Sequence, residues 1–117
     1  SELIYTFDEA AAIARRCGVP ALTTMIDTSS AALGEREPVA ELVRRALPTG
    51  QVGHVHFNDR NRKGPGQGAD RFLPVLAALR KGGYAGDIGI EPFVYEPDGP
   101  TCAARSIGYV RALLEAL

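Results

Sequence analysis

Apolar side chains recur at the three- and four-residue spacing of an amphipathic helix in four segments of the chain. The first predicted helix begins at the capping box Thr6-Phe7-Asp8-Glu9 and ends at Gly18-Val19-Pro20. The second begins near Pro38, and the third begins near Asp70, whose side chain suits the N-cap position. The fourth follows the turn residues 97–100, and its predicted buried stripe is Ala103, Ile107, Val110, Leu114 and Leu117.

Three apolar segments between these helices have the composition of β-strands. They are predicted over residues 21–27, 52–58 and 87–93, which makes the element order αβαβαβα. Regular alternation of strands with helices of this length predicts βαβ units, a parallel sheet and right-handed crossovers. The predicted fold class is therefore α/β.

Each predicted strand has one apolar face and one face with a side chain that can bind a metal. Asp27 ends the first strand, His54 and His56 share a face with Asn58 in the second, and Glu91 lies opposite the isoleucines of the third. Because parallel strands place their C-terminal ends at one edge, these groups are expected to converge. Carboxylates with one imidazole suit Mn²⁺, Mg²⁺, Co²⁺ or Fe²⁺ better than a structural zinc.

Each of these residues also has an ordinary structural explanation. Asp27 could cap a short helical turn, and Glu91 could pair with a lysine or an arginine. His54 and His56 could each be a hydrogen-bonded core histidine. Their coincidence at the same end of three strands is what favours a functional site.

A polar, glycine-rich loop follows the second strand over residues 59–68. Gly64, Gly66 and Gly68 would let the backbone approach a ligand closely, while Arg62 offers a planar fork of donors to hydroxyl, carboxylate or phosphate oxygens. The loop matches neither a Walker phosphate-binding loop nor a dinucleotide fingerprint. A plain surface turn is the alternative.

Composition and charge narrow the class of protein. The 117 residues are 45% hydrophobic, with 13 Lys+Arg against 14 Asp+Glu and a net charge of -1. This predicts one globular domain over residues 1–117 and excludes disordered, collagen-like and coiled-coil chains. No basic surface favours a nucleic-acid partner, and no segment resembles a membrane span or a signal peptide, so a small-molecule partner and a cytoplasmic location are predicted. Cys17 and Cys102 are predicted to be small buried helix residues without a disulfide.

Five motifs occur in order along the chain. They are Met25-Ile26-Asp27-Thr28, His54-Val55-His56-Phe57-Asn58-Asp59-Arg60-Asn61-Arg62, Gly64-Pro65-Gly66-Gln67-Gly68, Gly83-Tyr84-Ala85-Gly86 and Ile90-Glu91-Pro92-Phe93. Together they resemble the sugar phosphate isomerase/epimerase family, the xylose isomerase-like TIM-barrel group that includes D-tagatose 3-epimerase, hydroxypyruvate isomerase and inosose dehydratase. The resemblance covers essentially the whole chain and implies the C-terminal half of a (β/α)8 barrel, with room for a minor strand between His56 and Glu91.

The resemblance also implies a metal-dependent reaction on a sugar or sugar phosphate. A divalent ion, with Mn²⁺ as first choice and Mg²⁺, Co²⁺ or Zn²⁺ as the others, would be held by Asp27, His56 and Glu91. Glu91 would also be the catalytic base that moves a proton through an enediolate, and Arg62 and His54 would contact the substrate. His56 is the implied ligand because it directly precedes the Phe-Asn-Asp segment where the family's ligand falls.

The chain departs from the family pattern in two places. The family's first glutamate ligand lies at the end of a strand before the Thr6 helix, and the chain begins after that position; Glu2 is nearby but is not assigned this role. Three residues after Asp27 stands Ser30, where the family's epimerases often have a substrate-contacting histidine. The function is therefore assigned to a complete barrel, and the chain alone is expected to be a poor catalyst.

Other functions stay open. The alternatives are a related metal-dependent dehydratase of the inosose or dehydroshikimate type, and a non-catalytic or truncated half-barrel module. An open parallel sheet needs its edges covered, so the chain is expected to pair with an N-terminal half or to form a homo-oligomer. An endonuclease IV-like enzyme would need many more than two histidines, and a receiver-like domain would need an acidic pair after the first strand.

Overall fold

The computed structural model describes residues 3–117 and contains the predicted helices and strands together with one further short helix. Ser1 and Glu2 lie outside the described residues. No described helix is both long enough and apolar enough to cross a membrane. In chain order the elements are α1 Phe7–Cys17, β1 Thr24–Asp27, α2 Thr28–Gly34, α3 Val39–Ala46, a 3-10 turn Leu47–Thr49, β2 Val52–His56, α4 Leu73–Lys81, β3 Ile88–Gly89 and α5 Gly99–Glu115.

The three strands form one parallel sheet in the order β1-β2-β3, which confirms the predicted α/β class. Thr24 of β1 pairs with Val52 and Met25 pairs with His54, so Gly53 is an extra residue on β2. β2 and β3 are direct neighbours. Within the described residues no additional strand lies between them, so the minor strand allowed for between His56 and Glu91 is not present there.

The apolar face of the sheet packs against α3 and α4. Val55 and Phe57 on or beside β2 are fully buried, and Ile26 of β1 is buried next to them. The helices contribute Leu42, Val43, Ala46, Val75, Leu76 and Leu79 to the same core. Burial of this face directs the opposite, polar face of the strands away from the core, as the alternation predicts.

Local signals at α1 act as predicted. The Thr6 hydroxyl accepts a hydrogen bond from the N–H of Glu9, and the Glu9 carboxylate accepts one from the N–H of Thr6, which completes the capping box. Gly18 ends the helix in the left-handed conformation, with φ 66°. The predicted burial of Cys17 is wrong, because the last turn of α1 is exposed, whereas Cys102 is buried as predicted.

The predicted N-cap role of Asp70 at the start of the third helix is wrong. This helix, α4, begins at Leu73, and the Asp70 carboxylate instead accepts hydrogen bonds from the backbone N–H and the guanidinium of Arg60. The N–H of Asp70 donates to the Asp59 carboxylate. The Asp70 carboxylate is therefore hydrogen-bonded to Arg60 and does not cap α4.

β3 is much shorter than the strand predicted over residues 87–93. It ends at Gly89, because the N–H of Glu91 donates to the side chain of Asn58 at 2.8 Å rather than to a neighbouring strand. Pro92 has no N–H and cannot extend the pairing. Glu91 consequently lies just beyond the strand and not within it.

The predicted buried stripe of α5 has the wrong orientation. Of its five residues only Val110 is buried, and the buried face instead contains Cys102 and Ser106. Ile107 is exposed and lines a surface cavity with Ile88 and other residues near the open edge of β3. Within the described part of the chain, the outer edges of β1 and β3 have no partner strand.

Asp98 caps the N-terminus of α5, and this contact predicts a pH dependence of stability. The N–H and then the hydroxyl of Thr101 donate to the Asp98 carboxylate at 2.8 and 2.9 Å, and they lower the pKa of that carboxyl. A carboxyl whose folded-state pKa is depressed stabilises fully above its ordinary pKa and loses this contribution as pH falls through the folded value. We expect Asp98→Ala to lower the free energy of unfolding near pH 7 and to matter less at about pH 3. Urea unfolding of both chains at the two pH values measures this, and an equal difference at both would contradict it.

Candidate metal site

A single row of residues crosses the polar face of the sheet. Asp27 pairs with His56, and His56 pairs with Gly89, so the three strands present these positions at the same level. Glu91 lies two residues beyond Gly89, which returns its side chain to the same face. Because the strands are parallel, this row lies at their C-terminal ends, where such sheets place their sites.

Asp27, His56 and Glu91 each offer one ligand atom, and these atoms all lie within 4.8 Å of one another. The Nδ1 atom of His56 is 3.2 Å from Oε2 of Glu91 and 3.9 Å from Oδ2 of Asp27. The side chains of Asp27 and His56 are 18% and 21% exposed, and that of Glu91 is 59% exposed. Two carboxylates and one imidazole, reachable from solvent on the Glu91 side, fit a divalent ion of the Mn²⁺ or Mg²⁺ type with positions left for other ligands.

The carboxylate of Asp27 has two structural partners in addition to its place in this cluster. Oδ1 accepts a hydrogen bond from the N–H of Ser30 at 2.9 Å and so caps α2, and Oδ2 accepts one from the side-chain amide of Asn58 at 2.7 Å. Asp27 therefore caps α2, which was one of its two predicted roles, and its carboxylate also lies in the cluster with His56 and Glu91. The two contacts hold the plane of the carboxylate in one orientation.

Glu91 has His56 as its ion-pair partner; no lysine or arginine within residues 3–117 lies within ion-pair distance of it. The alternative in which Glu91 pairs with a lysine or an arginine is therefore not found among the described residues. A half-exposed carboxylate beside an imidazole is available to bind a metal or to accept a proton.

Gly89 makes room for the histidines. A Cβ built at this position would lie 2.7 Å from Cδ2 of His56 and 3.3 Å from Nε2 of His54, so a larger residue would displace the imidazoles. The two histidine rings meet edge to face with centroids 4.8 Å apart. His54 is half-buried and lies one row below the cluster, opposite Met25, so it contacts His56 but is not part of the ligand group.

The glycines of the loop after β2 pack closely against other parts of the protein. A Cβ at Gly64 would overlap the hydroxyl of Ser106 on α5, and one at Gly68 would overlap the carboxylate of Asp59. Gly66 has φ 83° and lies against the ring of Tyr109. The absence of a side chain at these three positions therefore permits close approach to α5 and to the base of the loop, and close approach of the backbone to a ligand stays a prediction.

Arg62 connects this loop to the segment that follows Glu91. It has φ 72°, the left-handed region, and its carbonyl accepts hydrogen bonds from the N–H groups of Phe93 and Val94 at 2.8 and 3.0 Å. Its guanidinium carbon lies 5.4 Å from the centroid of the Phe93 ring. The predicted substrate-binding arginine is thus held beside the Glu91 segment.

Asn58 and Asp59 are the site residues to which sequence reasoning assigned no role. Both are fully buried at the end of β2, where exposed polar side chains would be ordinary. Asp59 organises the loop, because its two oxygens accept from the N–H groups of Asn61 and Asp70. The signal that could have found them is their position directly after a buried strand and directly before a glycine-rich loop.

A parallel α/β sheet with a metal-capable cluster at the C-terminal ends of its strands is typical of the (β/α)8-barrel class of proteins. The family model described as xylose isomerase-like TIM barrel matches residues 1–113, and the chain belongs to that family. Both the predicted family and the predicted barrel-type fold are confirmed. The three parallel strands of the described residues form one part of such a barrel.

Curated relatives of the chain are sugar epimerases. The chain is 30% identical over 94 residues to a D-psicose 3-epimerase of Agrobacterium fabrum. This match covers 80% of the chain and 32% of that protein. The chain is also 30% identical over 94 residues to the D-psicose 3-epimerase of Enterocloster bolteae, and this match covers 80% of the chain and 30% of that protein. The chain therefore spans about a third of the length of these relatives.

Solved structures support the same fold. An L-ribulose 3-epimerase superposes with a TM-score of 0.80 at 22% identity, covering 99% of this chain and 44% of that one. A 3-keto-D-glucoside 4-epimerase of E. coli superposes with a TM-score of 0.84 at 21% identity, covering 96% of this chain and 41% of that one. At these identities the likeness establishes the barrel-type architecture and leaves the reaction to be argued from the site.

Proposed function

We propose that this chain is the part of a divalent-metal-dependent sugar isomerase or epimerase that holds the metal and one catalytic carboxylate. The observation that carries the proposal is the convergence of Asp27, His56 and Glu91 within 4.8 Å at the C-terminal edge of the sheet. Its membership of the family and its similarity to sugar 3-epimerases support a sugar or sugar phosphate as substrate. Acidic and imidazole groups gathered in this way suit proton transfer beside a sugar carbonyl.

Asp27, His56 and Glu91 would hold the ion, with Mn²⁺ as the first choice and Mg²⁺, Co²⁺ or Zn²⁺ as alternatives. A bound divalent ion would polarise two neighbouring sugar oxygens and make the adjacent C–H more acidic. Glu91 is the most exposed of the three side chains, which supports its carboxylate as the group that would take that proton from the solvent-facing side. In the complete protein a second group would return the proton.

Arg62 and His54 would contact the sugar. The Arg62 guanidinium has several donors in one plane, and its stack on Phe93 holds it near Glu91. His54 lies below the cluster on the same face and touches His56, so it can reach only a substrate group that enters the site deeply. These roles go with an epimerase that binds the hydroxyl groups around the reacting carbon.

A half-barrel module that needs a partner is the second candidate, in which residues 1–117 form one domain. Two observations favour it: the chain covers about a third of its curated relatives, and apolar side chains such as Ile107 and Leu114 on α5 are exposed. Unpaired strand edges next to exposed apolar side chains favour association with a further polypeptide segment or a second copy. The two candidates agree on the metal site and differ in whether the assembled protein catalyses a reaction.

Mn²⁺ binding tests the proposal directly. We expect the chain to bind about one Mn²⁺, seen as loss of the free-ion signal in electron paramagnetic resonance and reversed by EDTA. Glu91→Gln is expected to weaken binding at least about tenfold, because one of the carboxylate ligands is lost. Glu96→Gln is the matched control, since Glu96 is an exposed glutamate in the same segment that pairs with Lys63.

Sugar binding is read from the same titration. A ketose that binds beside the metal must tighten Mn²⁺ binding by the factor by which Mn²⁺ tightens ketose binding. We expect D-psicose to lower the Mn²⁺ concentration at half-saturation for the unchanged chain and to do so less for Arg62→Ala. Absence of Mn²⁺ binding, or equal losses in Glu91→Gln and Glu96→Gln, would contradict the metal site; Mn²⁺ binding without any sugar effect would contradict only the sugar function.

A further inference from the structure

Asn58 is a fully buried polar residue at the point where the polar row of the sheet meets the loop. It lies two residues beyond His56, the last residue of β2, so alternation directs its side chain to the same face as His56. Its amide group makes one hydrogen bond to each of the two carboxylate-bearing residues of the cluster. No other described residue is hydrogen-bonded to both Asp27 and Glu91.

The two contacts use opposite ends of the amide. The Nδ2 atom donates to Oδ2 of Asp27 at 2.7 Å, and the Oδ1 atom accepts from the backbone N–H of Glu91 at 2.8 Å. Because a backbone N–H can only donate, the oxygen of the amide must face Glu91, and the nitrogen must then face Asp27. The orientation of the amide is therefore determined by its neighbours.

The backbone of Asn58 is held as firmly as its side chain. Its N–H donates to the hydroxyl of Thr28 at 2.9 Å, and the Thr28 hydroxyl donates to its carbonyl at 2.7 Å. Thr28 is buried in the first turn of α2, next to Asp27. The backbone of Asn58 is thus anchored to α2, which begins directly after Asp27, while its side-chain amide reaches the backbone of Glu91.

We propose that Asn58 is a positioning residue that orients Asp27 and Glu91 for metal binding, an inference that rests on the proposed metal function. The amide fixes Oδ2 of Asp27, the oxygen nearer to His56, in its observed direction. It also holds the backbone of Glu91 after β3 has ended, so that the side chain of Glu91 reaches Nδ1 of His56. Without the amide, the Asp27 carboxylate keeps one hydrogen bond, from the N–H of Ser30, besides its ion-pair contact with His56, and the Glu91 N–H loses its acceptor.

The test measures the Mn²⁺ affinity of Asn58→Ala, in the chain as it stands, by electron paramagnetic resonance. Loss of a residue that orients metal ligands typically lowers affinity by about ten- to a hundredfold, and we expect a loss of that size. Val43→Ala is the control: Val43 is fully buried on α3, on the apolar side of the sheet, so its truncation lowers stability without touching the polar face. If Asn58→Ala does not fold, Asn58→Ser gives the same comparison, because its hydroxyl is too short to bridge Asp27 and Glu91.

The inference is supported if the Asn58 variant, folded by circular dichroism at the assay temperature, binds Mn²⁺ more weakly while Val43→Ala binds like the unchanged chain. Equal weakening in both variants would assign the effect to general stability and overturn the inference. Unchanged affinity in the Asn58 variant would overturn it as well, with the metal site left intact. Absence of Mn²⁺ binding in the unchanged chain would instead overturn the proposed metal function, and the inference with it.

Discussion

His56→Ala is expected to abolish the rise in melting temperature that Mn²⁺ gives to the unchanged chain. An ion that binds only the folded state stabilises it by about 2.7 kcal/mol at a concentration one hundred times the dissociation constant. For a chain of this size, that corresponds to a rise on the order of 10 °C. The imidazole lies between the two carboxylates, 3.2 Å from Glu91 and 3.9 Å from Asp27, so its removal takes the central ligand away. Thermal unfolding followed by circular dichroism, in Mn²⁺ and in EDTA, measures the effect.

The matched control for this prediction is His54→Ala. His54 is on the same strand and the same face, and its ring touches that of His56, but it lies outside the ligand group. We expect His54→Ala to retain most of the Mn²⁺-dependent rise. A similar rise in His56→Ala, or its loss in both variants, would show that the metal does not bind at Asp27, His56 and Glu91.

Phe57→Ala is expected to cost about 3–5 kcal/mol in the free energy of unfolding, because it leaves a cavity in the centre of the core. Phe57 is 0% exposed, and its ring centroid lies 5.0 Å from that of Phe72. The ring of Phe72 in turn meets Tyr109 of α5 edge to face at 6.1 Å. Since small domains are stable by only about 5–15 kcal/mol in total, the loss should be large enough to shift the urea midpoint strongly.

Phe93→Ala provides the comparison for the same substitution at the surface. Phe93 is 57% exposed and packs on the guanidinium of Arg62, so its truncation should cost less than about 1 kcal/mol. If Phe57→Ala does not fold, Phe57→Leu is expected to fall between the two. Equal costs at the two positions would contradict the core assignment of Phe57.

Local sequence signals predicted the helices of this protein well where a short segment contains its own partners. The capping box at Thr6 and Glu9 forms as predicted, because both of its hydrogen bonds join residues three positions apart. The N-cap of α2 by Asp27 is of the same kind, since its partner is Ser30. Such contacts depend little on the rest of the chain, and the sequence contains what is needed to predict them.

Prediction failed where a distant residue competes for the same group. Asp70 has the chemistry of an N-cap, but Arg60 and Asp59 occupy its hydrogen-bonding groups and α4 begins later. The third strand is cut short because the N–H of Glu91 donates to Asn58. These competitors are ten or more positions away in sequence, so no local pattern reveals them.

For the candidate site as well, local patterns predicted one part and the tertiary structure was needed for the other. Strand alternation identified the residue types and the end of the sheet at which Asp27, His56 and Glu91 lie. The level at which they meet depends on the register of β1 on β2, which includes the extra residue Gly53. The ligand roles of the three residues stay predictions until metal binding is measured.

By itself, the sequence of this protein determined the class of fold, the apolar face of each strand and the helix caps made by neighbouring residues, because side-chain periodicity and capping are local properties of the chain. Only the tertiary structure decided which face of α5 is buried, why the loop glycines are needed and how Asn58 joins two parts of the site. Each of these depends on atoms that are far apart in sequence and come within hydrogen-bond or van der Waals distance only when the sheet and helices pack.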